Sequence, residues 1–133
     1  MTTTTDLVFP ETLRHRLEQP LPGRWARERF APALSHGRHF GPSLATTRSA
    51  AVMILLCRRG DAWSLPLTKR PEGLRHHGGQ ISLPGGAAEA GESAEQTSRR
   101  ELAEELGIDL ALVHDVGRLS TSYLFISDFQ VSP

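Results

Sequence analysis

Glu101, Glu104 and Glu105 stand at i, i+3 and i+4 in the run RELAEEL. On a helix those positions share one face. Three carboxylates crowded there repel one another at neutral pH, so the arrangement calls for a counter-charge. Carboxylate oxygens are hard ligands and favour magnesium or manganese over zinc. A divalent ion of that kind serves hydrolysis of an anionic phosphate, where charge must be neutralised and water oriented.

The helix that must carry them is well punctuated. Ser93 and Gln96 have the spacing of a capping box, and Gly107 stands where a left-handed C-terminal cap is wanted, which predicts a helix over residues 94–106. Leu102 and Leu106 give it a short apolar stripe to seat on a sheet. Arg100, among the acids, can pair with a carboxylate and orient its neighbours, and Glu92 is the other residue suited to that role.

Upstream lies RPEGLRHHGGQISLPGG, a loop rich in glycine and basic residues with an extended piece at residues 80–83. Arg70 and Arg75 are fitted for bidentate contact with phosphate oxygens; the competing reading is a solvated loop. Gly85 and Gly86 let a backbone come close to a substrate, and both also suit a tight turn. His76 and His77 could touch phosphate, but adjacent histidines in a polar loop are read as solvated.

Further elements frame the site. Residues 51–57 form an apolar run read as a central buried strand, with residues 63–69 as its hairpin partner and Pro66 marking an edge or bulge. Strands are expected at residues 113–119 and 123–131, with turns near residues 120–122 and 127–128. Toward the N-terminus, residues 1–6 are expected to fray, and residues 10–19 form a short helix with Leu13 and Leu17 on one face. Trp25 and Phe30 sit among Arg24, Arg27 and Arg29; packing onto the core is favoured over stacking on a base. His36 and His39 are read as a solvated loop rather than a metal pair.

Composition limits the partners. The formal net charge is zero, which gives no overall electrostatic case for nucleic acid or an anionic membrane. Cys57 is the single cysteine, so no intrachain disulfide can form; its apolar neighbours make it a buried thiol. The first ten residues lack the basic and apolar regions of a secretory signal, and no segment reaches the length of a membrane span. The expectation is a cytoplasmic protein with a small-molecule partner, no nucleic acid and no membrane; its oligomeric state stays open.

Gly86, Glu92, Arg100, Glu101, Leu102, Glu104, Glu105, Gly107 and Ile108 together resemble the Nudix box, and every specified position matches. The resemblance implies an α/β fold, the Nudix α/β/α sandwich around a mixed sheet, and a hydrolase of nucleoside diphosphates linked to another group. It implies Glu101, Glu104 and Glu105 as ligands of Mg2+ or Mn2+, with help from the Gly86 carbonyl. The catalytic set is then Glu101, Glu104, Glu105 and Arg100, and the substrate-binding set Arg70, Arg75 and Gly85. A second segment, Leu67, Thr68, Arg70, Arg75, Gly79, Pro84, Gly85 and Gly86, resembles the coenzyme A diphosphatase branch, with departures at Pro66, Pro71 and Leu83. It implies cleavage of coenzyme A or its thioesters to 3′,5′-ADP and 4′-phosphopantetheine. The alternatives are another nucleotide substrate such as ADP-ribose or a dinucleoside polyphosphate, or a silent binding module. The domain is expected at residues 49–133 after an N-terminal extension at residues 1–48. Nudix proteins run on for several strands and a helix beyond the region resembling SDFQVSP. The expectation is therefore a domain truncated at its C-terminus, with exposed sheet edges and apolar surface.

Overall fold

The computed structural model describes residues 4–30, 43–73 and 78–133. Two helices, α1 (Thr4–Leu17) and α2 (Arg24–Glu28), precede six short strands, β1 (Arg48–Val52), β2 (Cys57–Arg59), β3 (Ala62–Ser64), β4 (Thr68–Lys69), β5 (Ile81–Ser82) and β6 (Gly85–Ala87). Helix α3 (Ala94–Leu106), a 3-10 turn at Leu110–Leu112 and the hairpin β7 (Ser122–Leu124) and β8 (Phe129–Ser132) complete them.

Four strands form a sheet in the order β6-β1-β8-β7. Strand β1 runs antiparallel to β6 and parallel to β8, so the sheet is mixed and the fold is α/β. Helix α3 packs on β1 and β6. Small residues make the close approach possible: Ala51 pairs with Gly86 and is fully buried, as is Leu102 on the helix. Removing that leucine from water drives the contact. A Cβ on Gly85, whose φ is +151°, would run into Ala51 and Val52, so the turn into β6 accepts no side chain there.

Several elements differ from the sequence reading. The central strand begins at Arg48 and ends at Val52, because its neighbours run out: Ala51 is opposite Ser132, and the next residue, Pro133, has no N–H to give. The Met53 N–H still reaches the Pro84 carbonyl at 2.8 Å. The expected strand at residues 63–69 is broken around Pro66 into β3, paired with β2, and β4, paired with β5. A residue without a donor interrupts a ladder. Residues 113–121 lie in no strand. They run beside α1, where Gly117 touches Leu17 and Arg14 Nη2 donates to the Asp115 carbonyl at 3.3 Å. Residues 123–131 form a hairpin rather than one strand, and the turn expected at residues 127–128 is there, at Asp128 (φ +49°), whose carboxylate accepts from Thr47 Oγ1 at 2.8 Å and from the Tyr123 hydroxyl at 3.0 Å. Ser122, expected in a turn, belongs to β7.

Helix α1 starts at Thr4 and contains Pro10, so residues 4–6 are helical rather than frayed. Proline there forfeits one helical hydrogen bond and does not end the helix. Leu13 and Leu17 are half-buried, as their spacing predicts, and Phe9 packs on Trp63 with ring centroids 5.3 Å apart. Trp25 and Phe30 do not join the core: they are 74% and 86% exposed. Helix α2 has only five residues and is tied down instead through Arg27 Nη1, which donates to the Thr121 carbonyl at 2.9 Å. Among the described residues no helix is long and apolar enough to cross a membrane.

Candidate functional site

Helix α3 has the predicted bounds and both predicted caps. Ser93 Oγ accepts from the Gln96 N–H at 3.2 Å, and the Gln96 side chain accepts from the Ser93 N–H at 2.8 Å. Gly107 takes the left-handed conformation, φ 63°. With its ends fixed in this way, the register of the glutamates relative to β6 is set.

Arg100 organises the acidic face. Its Nε and Nη2 grip both oxygens of Glu92 at 2.8 and 3.1 Å. Nη1 donates to Glu101 Oε1 at 2.9 Å and to Glu104 Oε2 at 3.2 Å, while Nη2 also reaches the Ala87 carbonyl at 3.1 Å. One guanidinium therefore holds three carboxylates and the end of β6. Glu92 Oε2 further accepts from the Glu89 N–H at 2.9 Å and from Thr97 Oγ1 at 3.0 Å. The Arg100 hydrogen bonds above all, and then the Glu89 N–H, lower the Glu92 pKa to about 2. The same pairing, with Glu92 first and Glu101 next, raises that of Arg100.

The three helix glutamates are not equivalent. Glu101 lies against Gly86 so closely that a Cβ on that glycine would meet its carboxyl group. Glu104 points outward, its side chain 59% exposed. Glu105 turns toward β6, where its Oε2 accepts from the Gly85 N–H at 3.1 Å. The sequence marks Gly85 for substrate, and here its N–H serves a glutamate. Among the described residues no three His, Cys, Asp or Glu side chains are gathered as a metal cage. Yet Glu101 Oε2, Glu104 Oε1 and Glu105 Oε1 each lack a hydrogen-bond partner among the described residues. An all-oxygen donor set with a free oxygen on each carboxylate fits a hard divalent ion.

Glu105 also lines an open cleft of about 280 Å³ with Thr68, Lys69, Arg70 and Pro71. The β4–β5 hairpin brings Arg70 there, held by its N–H to the Gln80 carbonyl at 2.9 Å and by the Gly79 N–H to its own carbonyl at 3.0 Å. The Arg70 guanidinium has no hydrogen bond or ion pair among the described residues. The structure thus joins Arg70, from the loop, to Glu105, from the helix. Arg75, His76 and His77 lie outside the described residues, as do His36 and His39.

The sequence reading did not single out Thr97 or the Glu89 N–H, which finish the coordination of Glu92. Thr97 is fully buried, and its hydroxyl also donates to the Ser93 carbonyl at 3.1 Å. A threonine inside a helix carries no signal of that role until the fold puts Glu92 beside it.

The NUDIX domain family model matches residues 47–131, well over half of the chain. The chain belongs to the Nudix family. Among curated Nudix relatives, the "Uncharacterized Nudix hydrolase NudL" of Yersinia pestis (strain Pestoides F) and that of Yersinia pseudotuberculosis serotype O:1b (strain IP 31758) are each 40% identical over 89 residues. The match takes in 65% of this chain, and the chain spans only 42% of each relative's length. A solved Nudix structure, the MutT/nudix family protein from Enterococcus faecalis, superposes with a TM-score of 0.54 at 18% identity, over 99% of this chain and 48% of that one. It is alike in fold. Helix α3 with its Arg100 cluster lies within the matched residues, seated on the strand pair β1 and β6.

Proposed function

We propose that this chain carries a divalent-metal-dependent hydrolase site that cleaves the diphosphate of coenzyme A or its thioesters to 3′,5′-ADP and 4′-phosphopantetheine, or its acylated form. The observation that carries the reading is the joining of Arg70 and Glu105 in one cavity, next to carboxylates held by Arg100. A phosphate needs a cation and a metal site within reach of each other.

Glu101, Glu104 and Glu105 would hold Mg2+ or Mn2+, with the Gly86 carbonyl beside them. When bound, such an ion supplies positive charge at phosphoryl oxygens and lowers the pKa of water. The chain's own residues do the rest. Arg100, locked by Glu92, holds Glu101 in place so that little reorganisation remains at the moment of reaction. Arg70 neutralises and orients a phosphate through its planar fork. Water oxygen bonds to one phosphorus, the bridging oxygen leaves with the other phosphate, and the protons of water pass to solvent and product.

The preference for coenzyme A rests on the segment from Leu67 to Gly86, which includes the cavity residues Thr68 and Arg70. Pro71 supports a second reading, since it lines the cavity where the coenzyme A pattern has a small residue. Under that reading the substrate is another nucleoside diphosphate derivative such as ADP-ribose. The single cysteine, with no intrachain partner for a disulfide, supports a cytoplasmic setting.

The test is incubation of the purified chain with magnesium or manganese and a panel of coenzyme A, ADP-ribose and nucleoside triphosphates, with products resolved by mass. Coenzyme A turnover abolished by Glu104→Gln and Glu105→Gln is the expected result. Turnover of ADP-ribose alone moves the assignment to the second reading, and no turnover at all overturns both.

A further inference from the structure

Two basic residues, Lys69 and Arg70, line the cleft beside Glu105, and of these the sequence marks only Arg70 for phosphate. Thr68, Lys69 and Arg70 follow one another along β4 and its exit, and all three line the cavity with Pro71. The two cations differ in what they do in the structure. The Arg70 guanidinium is unpaired among the described residues, whereas Lys69 Nζ donates to Glu72 Oε1 at 2.8 Å. Both ends of that pair face solvent, with side chains 58% and 79% exposed. Ion pairs as exposed as this are weak and screened by salt. Lysine carries a compact ammonium on a four-carbon stem with freely rotating bonds, so it can exchange one anionic oxygen for another without moving the backbone. A phosphate offers that ammonium more negative charge and more acceptor oxygens than a carboxylate does.

We propose that Lys69 is a second phosphate-binding residue of this site, handed from Glu72 to a phosphate group of the substrate. This rests on the reading of the cavity as a nucleotide-phosphate site. The chemistry recognised is a phosphate oxyanion, which could come from the diphosphate or from a phosphomonoester elsewhere on the nucleotide. Glu72 then acts as a competitor: it neutralises Lys69 when no phosphate is present and sets a threshold that a weakly anionic ligand does not pass.

The roles of the pair predict effects of opposite sign. Calorimetric titration of the full chain, with magnesium at fixed ionic strength, uses ADP and adenosine 3′,5′-bisphosphate as probes and adenosine as the phosphate-free reference. Lys69→Gln should weaken nucleotide binding about tenfold, the scale of one lost charge-assisted hydrogen bond. Glu72→Gln should tighten it about threefold by removing the competitor. Lys69→Arg should stay within about threefold of the parent, which shows that the charge and not the fold is being read. Loss confined to ADP assigns the contact to the diphosphate, and loss confined to the bisphosphate assigns it to the phosphomonoester. If Lys69→Gln and Glu72→Gln weaken binding alike, or neither changes it, the pair only shapes the hairpin and the proposal is wrong. Opposite binding shifts without any turnover would sink the hydrolase reading and leave Lys69 in place; coenzyme A turnover without those shifts would do the reverse.

Discussion

Two regions of the molecule are built on different terms. Where α3 meets β1 and β6, Ala51, Thr97 and Leu102 are fully buried and Arg100 satisfies three carboxylates and a carbonyl. Between α1 and residues 112–119 there is instead a cavity of about 610 Å³, walled by side chains such as Leu13, Leu17, Ile54, Leu56 and Val116. That region is joined by a few contacts at its rim: Phe9 on Trp63, Arg99 with Asp115 at 3.2 Å, and Arg118 with Glu95 at 2.6 Å. Dense packing and hydrogen bonding are thus concentrated under the acidic helix. Cooperative stability follows packing, so the site's positions should depend far more on the first region than on the second.

The largest test of that contrast is Leu102→Ala. Truncating a fully buried leucine should cost about 2–5 kcal/mol, read as a fall in the urea midpoint. A loss under about 1 kcal/mol would mean that the helix seat is not the centre of stability. Next is Arg100→Gln, which frees Glu101 and Glu104 from their common partner. Hydrolysis should drop on the order of 10- to 100-fold, with a smaller shift in the urea midpoint than Leu102→Ala gives. Unchanged kinetics would remove Arg100 from the site. Gly86→Ala should cost about 1–3 kcal/mol, since its Cβ meets the Glu101 carboxyl group and one of them must move.

Acid titration sharpens the contrast further. The folded pKa of Glu92 is lowered from 4.5 to about 2, so its contribution to stability is fully present above about pH 4.5 and is lost as pH falls toward about 2. Over that window Glu92→Gln should show a shallower loss of stability with falling pH than the parent. Parallel slopes for the two proteins would show that Arg100 does not hold Glu92 in this way.

The same contrast explains which parts could be read in advance. Helix α3 was legible to the residue because its signals are local: Ser93 and Gln96 cap one end, Gly107 the other, and each acts on the chain within a turn of itself. The strands were less legible because a strand needs partners whose positions are not local. Residues 53–56 are as apolar as a buried strand, yet they stop being one where β6 and β8 run out. Residues 113–119 carry the same kind of pattern and follow α1 instead, with Gly117 against Leu17. In the site, the residue types and the clustering on α3 were visible. Invisible were the division of labour among the glutamates and the meeting of Arg70 and Lys69 with Glu105, since these depend on how the hairpin folds over the helix.

The smallest expected effect belongs to Leu17→Ala, on the cavity side. Leu17 is half-buried, touches Gly117, and borders a volume that neighbouring side chains do not fill. Truncating it removes few close contacts, because dispersion is lost only where atoms were touching, so the cost should be under about 1 kcal/mol. Hydrolysis should stay within about twofold of the parent, since no hydrogen bond of the Arg100 cluster involves α1. A dye that fluoresces in apolar surroundings should bind the parent under native conditions, and Leu17→Asp should dim it by placing a charge in the apolar wall. Leu102→Ala and Leu17→Ala measured side by side then give the contrast a number. If both cost the same, the two regions form a single cooperative core, and the separation between the acidic helix and the cavity wall is only one of shape.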